Sequence, residues 1–401
     1  MTDFNIQFYQ DSLVMAFKNN YLSLSLIFYC ASFVFGDPVN ANYKTELIQV
    51  LFRHGARTPI DCEARLLGTN ETLYKPWGFA QLTNKGMTQE YKIGQMLRER
   101  YNNFLPELYN PRDIYAYASG VGRTKASLQL VLAALYPPAK ELQWNSEFNW
   151  MPIQIFSNPK PLDILISSKK CPKYRKTLKE LYDSTDFKVL TAEHDGIRAT
   201  LKDIFGNEFT FDDIFCIISA VLVHKNMKLP LPHWYTDEIY SKLRKAIDLY
   251  LDSLSYTPAL KRLNGGMLVR RFVENMNKSN MELKRRKIYL YSAHDKTVHA
   301  FARSHDLELV KLPDYGTAVI LEKLSDAQEN LYVRLLLWTG EPKKLTTLKL
   351  PNCAEVCPLN EYLEIVAPIL PTDEEMLCLY ENLQPKDLQK LFNTDVPNID
   401  D

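Results

Sequence analysis

Two arginines and a histidine, Arg53, His54 and Arg57, stand close together in the sequence LFRHGARTP (residues 51–59). Guanidinium groups are planar and permanently charged, and their forked hydrogen bonds suit the oxygens of a phosphoryl group. The sequence has neither a G-x-S-x-G elbow nor a P-loop lysine, so His54 is the candidate nucleophile. Because flanking cations disfavour protonation, we expect its imidazole to stay neutral and nucleophilic.

Two further stretches carry residues that suit the same chemistry. The segment Ser119–Arg123 ends in a third arginine, and His294 and Asp295 lie together in the sequence YSAHDKTV. Asp295 would protonate the departing alcohol oxygen, a role worth about 10²–10⁴ in rate. It must be protonated to begin, which favours an acidic working pH.

These stretches each follow a short apolar segment that is rich in β-branched and aromatic residues. The segments 46–52, 113–119 and 287–293 are predicted to be buried strands, and each precedes a helical pattern, as in parallel α/β proteins. Thr83 is the expected N-cap of the first helix, and Pro137 should end the second. Ligands bind outside the carboxyl ends of parallel strands, so the three stretches should converge on one crevice.

The rest of the chain contains two kinds of sequence pattern, one typical of strands and one typical of helices. Residues 316–324 and 331–340 read as an antiparallel hairpin at the sheet edge. Charged helical patterns and proline-bearing turns dominate residues 151–262, which we interpret as a mostly helical cap inserted into an α/β core of residues 37–150 and 263–401. The expected fold class is α/β, with a mainly parallel central sheet flanked by helices.

Composition and the N-terminus restrict the partners and the location of the protein. Forty-eight basic residues balance forty-eight acidic ones among 401, so no global charge draws the chain to nucleic acid. Residues 1–36 are predicted to be a signal peptide with an over-extended segment before Met15, and a signal anchor is the alternative. The polar C-terminal tail contains neither a membrane helix nor a lipid-anchor signal, so no stable membrane anchor is expected.

Secretion affects how the cysteines and sequons are interpreted. Removal of the signal leaves six cysteines, an even set that is compatible with disulfides. The sequence CAEVC (Cys353 and Cys357) favours a short-loop disulfide over half of a metal site, because no second Cys/His pair of suitable spacing lies nearby. Asn70 and Asn277 stand in glycosylation sequons.

The paired motifs RHGARTP and YSAHDKTV resemble the histidine acid phosphatase family, especially its secreted, lysosomal, prostatic-type and insect-venom members. The resemblance extends through QLTNKGMTQEYKIGQMLRERY, SGVGRTKAS, KPLDILISSKKCPKY and CAEVCPLNEY, and it covers most of residues 44–378. It implies a phosphoglycerate mutase-like α/β core with a helical cap.

The resemblance also implies a role for each matching residue. His54 becomes the phosphohistidine, Asp295 donates the proton, and phosphate is bound by Arg53, Arg57, Arg123 and His294. The implied disulfides are Cys171–Cys378 and Cys353–Cys357.

Three departures from the family pattern stand out. Members usually carry acidic residues before the third arginine, where this chain has Gly120 and Gly122. The expected partner of Cys216 is replaced by Ala318, so Cys62 and Cys216 are either free or newly paired. The sequence MPIQIFSNP lacks a histidine that the family often has before the cap.

The sequence therefore predicts a secreted or lysosomal acid phosphatase that hydrolyses small-molecule or protein phosphomonoesters without a metal or another cofactor. A homodimer is a possible assembly, because dimers are common in the family. The main alternative is a secreted binding protein or antigen on a phosphatase scaffold, with catalysis weakened by the change at Gly120 and Gly122. A cytosolic mutase-like or bisphosphatase-like enzyme and a metal-dependent phosphatase are less favoured.

Overall fold

The computed structural model describes residues 42–278, 286–307, 312–340 and 345–378. The predicted signal peptide and the C-terminal tail beyond residue 378 lie outside these ranges. In the part of the chain that is described, no helix combines the length and the apolar character that crossing a membrane requires.

A central sheet organises the fold, and its strands are β1 (Lys44–Arg53), β2 (Ile114–Ala118), β3 (Ile288–Ala293), β4 (Ala318–Ser325), β5 (Leu331–Trp338), β6 (Leu345–Leu348) and β7 (Val356–Pro358). The strand order is β2-β3-β1-β4-β5-β6, and β7 also pairs with β5. The three strands predicted from sequence pair in parallel, whereas β4 to β7 pair antiparallel, so the sheet is mixed. The α/β fold class is confirmed, but the expectation of a mainly parallel sheet is wrong, because β4 pairs antiparallel with β1 and extends the sheet with antiparallel strands. Strands β4 and β5 form the predicted hairpin, although it lies inside the sheet between β1 and β6 rather than at its edge.

Both faces of the sheet are buried. Alternate residues of β1 point to opposite faces, and the residues on each face belong to an apolar cluster. Val50 and Phe52 belong to one apolar cluster, and Leu47 and Leu51 belong to another. Helices α2 (Asn84–Arg100) and α3 (Gly122–Leu135) cover the first face. Helices α10 (Gly265–Lys278), α11 (Asp295–Ser304) and α12 (Leu359–Val366) cover the second.

The helix boundaries follow local chemistry. Thr83 caps α2 as predicted, since its hydroxyl accepts a hydrogen bond from Gly86 N at 3.2 Å. Helix α3 ends at Leu135, just before Pro137. The first site motif leads into α1 (Asp61–Leu67), and a short helix, α13 (Asp373–Met376), closes the described chain. Single 3₁₀ turns occupy Glu71–Tyr74, Lys140–Leu142, Lys160–Leu162, Ser168–Lys170 and Ala367–Ile369.

The middle of the chain is helical, as the sequence predicts. Its helices are α4 (Pro172–Asp183), α5 (Thr185–Ala192), α6 (Asp195–Phe205), α7 (Phe211–Met227), α8 (Asp237–Ser253) and α9 (Pro258–Leu263). Helices α4 and α6 to α9 share a third apolar cluster that includes Tyr174, Ile218 and Ile247. The division into a core and a cap at residues 151 and 262 stays a prediction.

The described residues contain the disulfides Cys62–Cys216, Cys171–Cys378 and Cys353–Cys357. The first two join distant parts of the chain, and the third closes a short loop. The last two are the pairs that the resemblance implies. The first answers the question that the sequence left open, because Cys62 and Cys216 are bonded to each other. This disulfide links α1, which follows the RHGAR motif, to α7.

Candidate active site

The carboxyl ends of the three parallel strands meet, as predicted. Ser119 N donates to Ser292 O at 3.1 Å, and His54 N donates to Ala293 O at 3.0 Å, so the chain leaves β1, β2 and β3 side by side. Behind the first motif, a Cβ on Gly55 would lie 2.3 Å from the carbonyl oxygen of Gly86. Glycine at position 55 therefore lets the motif pack directly against the start of α2.

The ring of His54 is held in one tautomer. Its Nδ1 lies 2.9 Å from Gly55 O, which can only accept, so Nδ1 carries the proton. Nε2 is then unprotonated and accepts a hydrogen bond from Arg123 Nε at 3.0 Å. Burial and the nearby cations, Arg123 first among them, hold the pKa of His54 well below its usual value. The imidazole is therefore a neutral base with a lone pair on Nε2.

Two of the arginines are held in place by carboxylates. Arg53 bonds Asp295 Oδ2 at 2.8 Å and Pro313 O at 2.6 Å, and its guanidinium lies 3.9 Å from the centre of the Tyr315 ring. Arg57 forms a bidentate pair with Glu63, at 2.6 and 2.7 Å, and both side chains are buried. These contacts fix the two cations before any ligand arrives.

The positive charge of the third arginine, Arg123, is balanced by fewer partners than the charges of the other two. Within the described part of the chain, the buried Nη1 of Arg123 has no hydrogen-bond partner. Burial and the charge of Arg57 lower the pKa of Arg123 to about 9. A buried, undercompensated guanidinium beside a nucleophile is well suited to bind an oxyanion.

The two glycines before Arg123 differ in their surroundings. A Cβ on Gly120 would lie 2.7 Å from Lys160 N and 2.8 Å from Asn158 O, so the backbone fills the space that a side chain would need. A Cβ on Gly122 would meet no atom within 4 Å. The chain thus excludes an acidic residue sterically at position 120 but not at position 122.

The second motif supplies a neutral histidine and an ionised carboxylate. His294 Nε2 lies 3.0 Å from Ser119 Oγ, and burial together with Arg123 lowers the pKa of His294 to about 3. Burial alone would raise the pKa of Asp295, but Arg53 and Lys296 outweigh it and the pKa is lowered. The expectation that Asp295 is protonated before the reaction is therefore corrected for the unliganded site, because its ion pair with Arg53 stabilises the carboxylate.

A cavity of about 230 Å³ joins these groups. Its lining includes His54, Arg57, Arg123, His294 and Asp295, and Arg53 is bonded to the last of them. An apolar wall comes from Ile60, Ile166, Tyr174, Phe215 and Leu254, and polar groups come from Ser167, Ser168, Lys169, Asn264, Lys296 and Thr297. All six predicted catalytic and phosphate-binding residues thus lie in or against one cavity.

The sequence reasoning missed several of these groups. Glu63 holds Arg57 in place but lies outside the sequence motifs. The sequence feature that could have indicated it is an acidic residue in the first turn of the helix that follows the RHGAR motif. Lys296 stands in the second motif, but neither its residue type nor its spacing predicts a role for it. Cys353, Cys357 and Glu361 lie close enough to share an ion, but the two sulfur atoms are bonded to each other and are not thiolates. The sequon residues Asn70 and Asn277 are exposed.

A neutral imidazole among guanidiniums, at the carboxyl ends of parallel strands, is an arrangement suited to phosphoryl chemistry. Residues 44–338 match the histidine phosphatase superfamily (branch 2), and the chain belongs to this family.

The chain is similar to named acid phosphatases along most of its length. It is 33% identical to venom acid phosphatase Acph-1 of Apis mellifera, over 85% of this chain and 89% of the relative. It is 31% identical to prostatic acid phosphatase of Homo sapiens, over 90% of this chain and 94% of the relative. Among solved structures, Hafnia alvei phytase in complex with myo-inositol hexakis sulphate has a similar fold, with a TM-score of 0.63, 16% identity and coverage of 82% of this chain and 98% of the phytase.

Proposed function

We propose that this protein is an acid phosphatase that hydrolyses phosphate monoesters through a covalent phosphohistidine on His54. The observation that carries the proposal is the state of His54, whose unprotonated Nε2 lines the cavity beside the undercompensated Arg123. Family membership and the acid phosphatase relatives support the same reaction class.

The reaction has two steps. A monoanionic ester gives its proton to the Asp295 carboxylate as it binds. Arg123 Nε moves its hydrogen bond from His54 Nε2 to a phosphoryl oxygen, which frees the lone pair of Nε2. That lone pair attacks phosphorus, the bond from phosphorus to the ester oxygen breaks, and Asp295 gives its proton to that oxygen. Arg53, Arg57 and Arg123 neutralise the three equatorial oxygens while Gly55 O holds Nδ1–H. Water then attacks the phosphohistidine, Asp295 takes the proton from that water, and phosphate leaves with the bond to Nε2 broken. No step requires a metal ion or another cofactor.

The cap and the cellular location are parts of the same proposal. Tyr174, Phe215 and Leu254, from the helical stretch that we propose as a cap, line the cavity and would contact the alcohol portion of the substrate. Disulfides persist in oxidising compartments, so the three bonds support a secreted or lysosomal protein, as do the relatives. Glycosylation at Asn70 and Asn277 and assembly into a homodimer stay predictions.

The decisive test replaces His54 by alanine and measures phosphate release from an aryl phosphate at about pH 5. Activity should fall to background, because no other described residue that lines the cavity offers an unprotonated nitrogen at the same place. The matched control is His233→Ala, which removes an exposed imidazole and should keep the activity. Radiolabelled substrate should leave an acid-labile phosphoryl group on the wild type and none on His54→Ala.

Three outcomes would contradict the proposal. Activity that survives in His54→Ala would exclude the histidine nucleophile. Activity that disappears in the presence of a chelator would require a metal. Binding of phosphate by the wild type without turnover would instead favour a binding protein on a phosphatase scaffold.

A further inference from the structure

A second cationic group lines the cavity beyond the phosphate-binding residues. Lys169 belongs to the 3₁₀ turn Ser168–Lys170, and Lys296 is the second residue of α11. Both side chains line the same cavity as His54. The reaction as proposed uses neither of them.

One carboxylate serves both lysines. Asp212, in the first turn of α7, lies 2.8 Å from Lys169 Nζ through each of its oxygens and 3.6 Å from Lys296 Nζ. Tyr250 OH donates to the same carboxylate. Two ammonium groups therefore face one carboxylate, and the cluster retains one positive charge.

The ammonium group of Lys296 is held at the cavity wall. Its Nζ lies 2.8 Å from Tyr250 OH and 4.0 Å from the centre of the Phe215 ring, and about a third of the side chain (32%) is exposed. Burial and the charge of Lys169 lower the pKa of Lys296 to about 8, so the group stays charged in acidic solution. An ammonium has three N–H donors, and Tyr250 accepts one, so donors remain for a ligand.

The proposed reaction places the alcohol portion of the substrate next to these lysines. In an in-line displacement, the leaving oxygen lies on the far side of phosphorus from the nucleophile. Asp295 must reach that oxygen to protonate it, and Lys296 is the next residue, with its backbone N–H bonded to Asp295 Oδ1 at 2.7 Å. The apolar residues Phe215 and Leu254 line the same cavity and suit a small organic body.

We infer that Lys169 and Lys296 form a second anion-binding subsite, which selects phosphomonoesters whose alcohol portion carries another anionic group, a carboxylate or a phosphate. The inference rests on the proposed function, because the reacting phosphoryl group must first occupy the arginine site. Asp212 holds the two ammonium groups in place and limits the positive charge that they present.

A pair of nearly isosteric esters tests the subsite. The rate constant kcat/KM is measured at pH 5.5 for 4-carboxyphenyl phosphate and for 4-carbamoylphenyl phosphate, and again for the 3-substituted pair. The two esters of a pair differ in charge rather than in shape. Wild-type protein should prefer the carboxylate by about fivefold in at least one pair, the size of a partly screened ion pair.

Variants identify the source of that preference. Lys169→Met should reduce the ratio of the two rate constants to about one, and Lys169→Arg should keep it. Lys170→Met is the matched control, since Lys170 is the next residue in the same turn and does not line the cavity. Asp212→Asn should change the ratio in the opposite direction, because it removes the opposing negative charge.

The ratio of the two kcat/KM values distinguishes a loss of the subsite from a general loss of folded or active enzyme, because a misfolded or weakened enzyme loses activity on both esters equally. Equal wild-type rates for acid and amide in both pairs, or an unchanged ratio in Lys169→Met and in Lys296→Met, would overturn the inference and leave the phosphatase proposal intact. Failure of the wild type to hydrolyse any of the four esters would overturn the proposed function and this inference with it.

Discussion

The pair formed by Arg57 and Glu63 allows the sharpest test of how the site is built. Glu63→Ala removes the carboxylate that receives both terminal nitrogens of Arg57, at 2.6 and 2.7 Å. The side chains are 6% and 1% exposed, so water cannot replace the lost partner without opening the structure. Glu63 also accepts a hydrogen bond from Ile60 N at 3.0 Å, which fixes the start of α1.

The expected magnitude follows from this burial. Removing one member of a buried ion pair leaves an uncompensated charge and costs about 3–5 kcal/mol of the free energy of unfolding. Burial alone would lower the pKa of Arg57, but Glu63 raises it above its usual value, so the carboxylate is its main compensation. A displaced guanidinium should also lower kcat/KM by about 10²-fold, as for the loss of one transition-state donor.

Urea unfolding at pH 7 and steady-state kinetics at pH 5 measure the two effects. The matched control is Asp61→Ala, in the same helix, whose pair with Arg65 is exposed and should be worth no more than about 1 kcal/mol. Inorganic phosphate should restore part of the stability of Glu63→Ala, because it offers Arg57 another anion. A loss below about 1 kcal/mol in Glu63→Ala, or additive losses in the double variant with Arg57→Ala, would refute the reasoning.

Two further predictions follow from single positions. The variant Gly122→Asp should fold normally, and its free energy of unfolding should rise by up to about 1 kcal/mol, because the new carboxylate interacts with the helix dipole and with Arg123. The variant Gly120→Asp should lose about 1–3 kcal/mol, because its side chain would overlap with the 158–160 backbone. Equal melting temperatures for the two variants would contradict this prediction. Burial lowers the pKa of His305 to about 4, so the unfolded chain takes up a proton that the folded protein refuses, and stability falls as the pH falls from about 6.5 towards 4. When the pH falls from 7 to 5, the free energy of unfolding measured in urea titrations should therefore decrease by about 2 kcal/mol less for His305→Gln than for the wild type. An identical decrease in both proteins would show that His305 does not cause the loss of stability.

The sequence predicts the elements that local pattern determines. The three parallel strands, the cap at Thr83 and the meeting of the two motifs follow from short-range hydrophobic periodicity and from the rule that ligands bind at the carboxyl ends of strands. The hairpin was the only antiparallel pairing predicted from the sequence. The antiparallel pairing of β1 with β4 could not be predicted in this way, because it depends on contacts between residues that are far apart in the sequence.

The parts that the sequence did not predict depend on long-range packing. Cys62 and Cys216 are separated by 154 residues, and an even number of cysteines does not determine how they pair. Lys169 and Asp212 are 43 residues apart in a helical stretch where many charges lie on the surface, so nothing in the pattern distinguishes this pair. The fit of Gly120 against the 158–160 backbone likewise exists only after the chain has folded.

The ionised state of Asp295 constrains the origin of the catalytic proton. Its carboxylate shares Arg53 with the incoming phosphate, so two anionic groups would compete for one guanidinium, and like charges at close range favour retention of a proton between them. A phosphate monoester has its second pKa near 6 and so arrives in acidic solution as a monoanion that still carries a proton. Under the proposed mechanism, the substrate can therefore protonate Asp295 on binding, and Asp295 can pass that proton to the leaving oxygen. An acidic optimum then follows from the charge state of the ester as well as from the enzyme, because burial and the nearby arginines already hold the pKa values of His54 and His294 below their usual range.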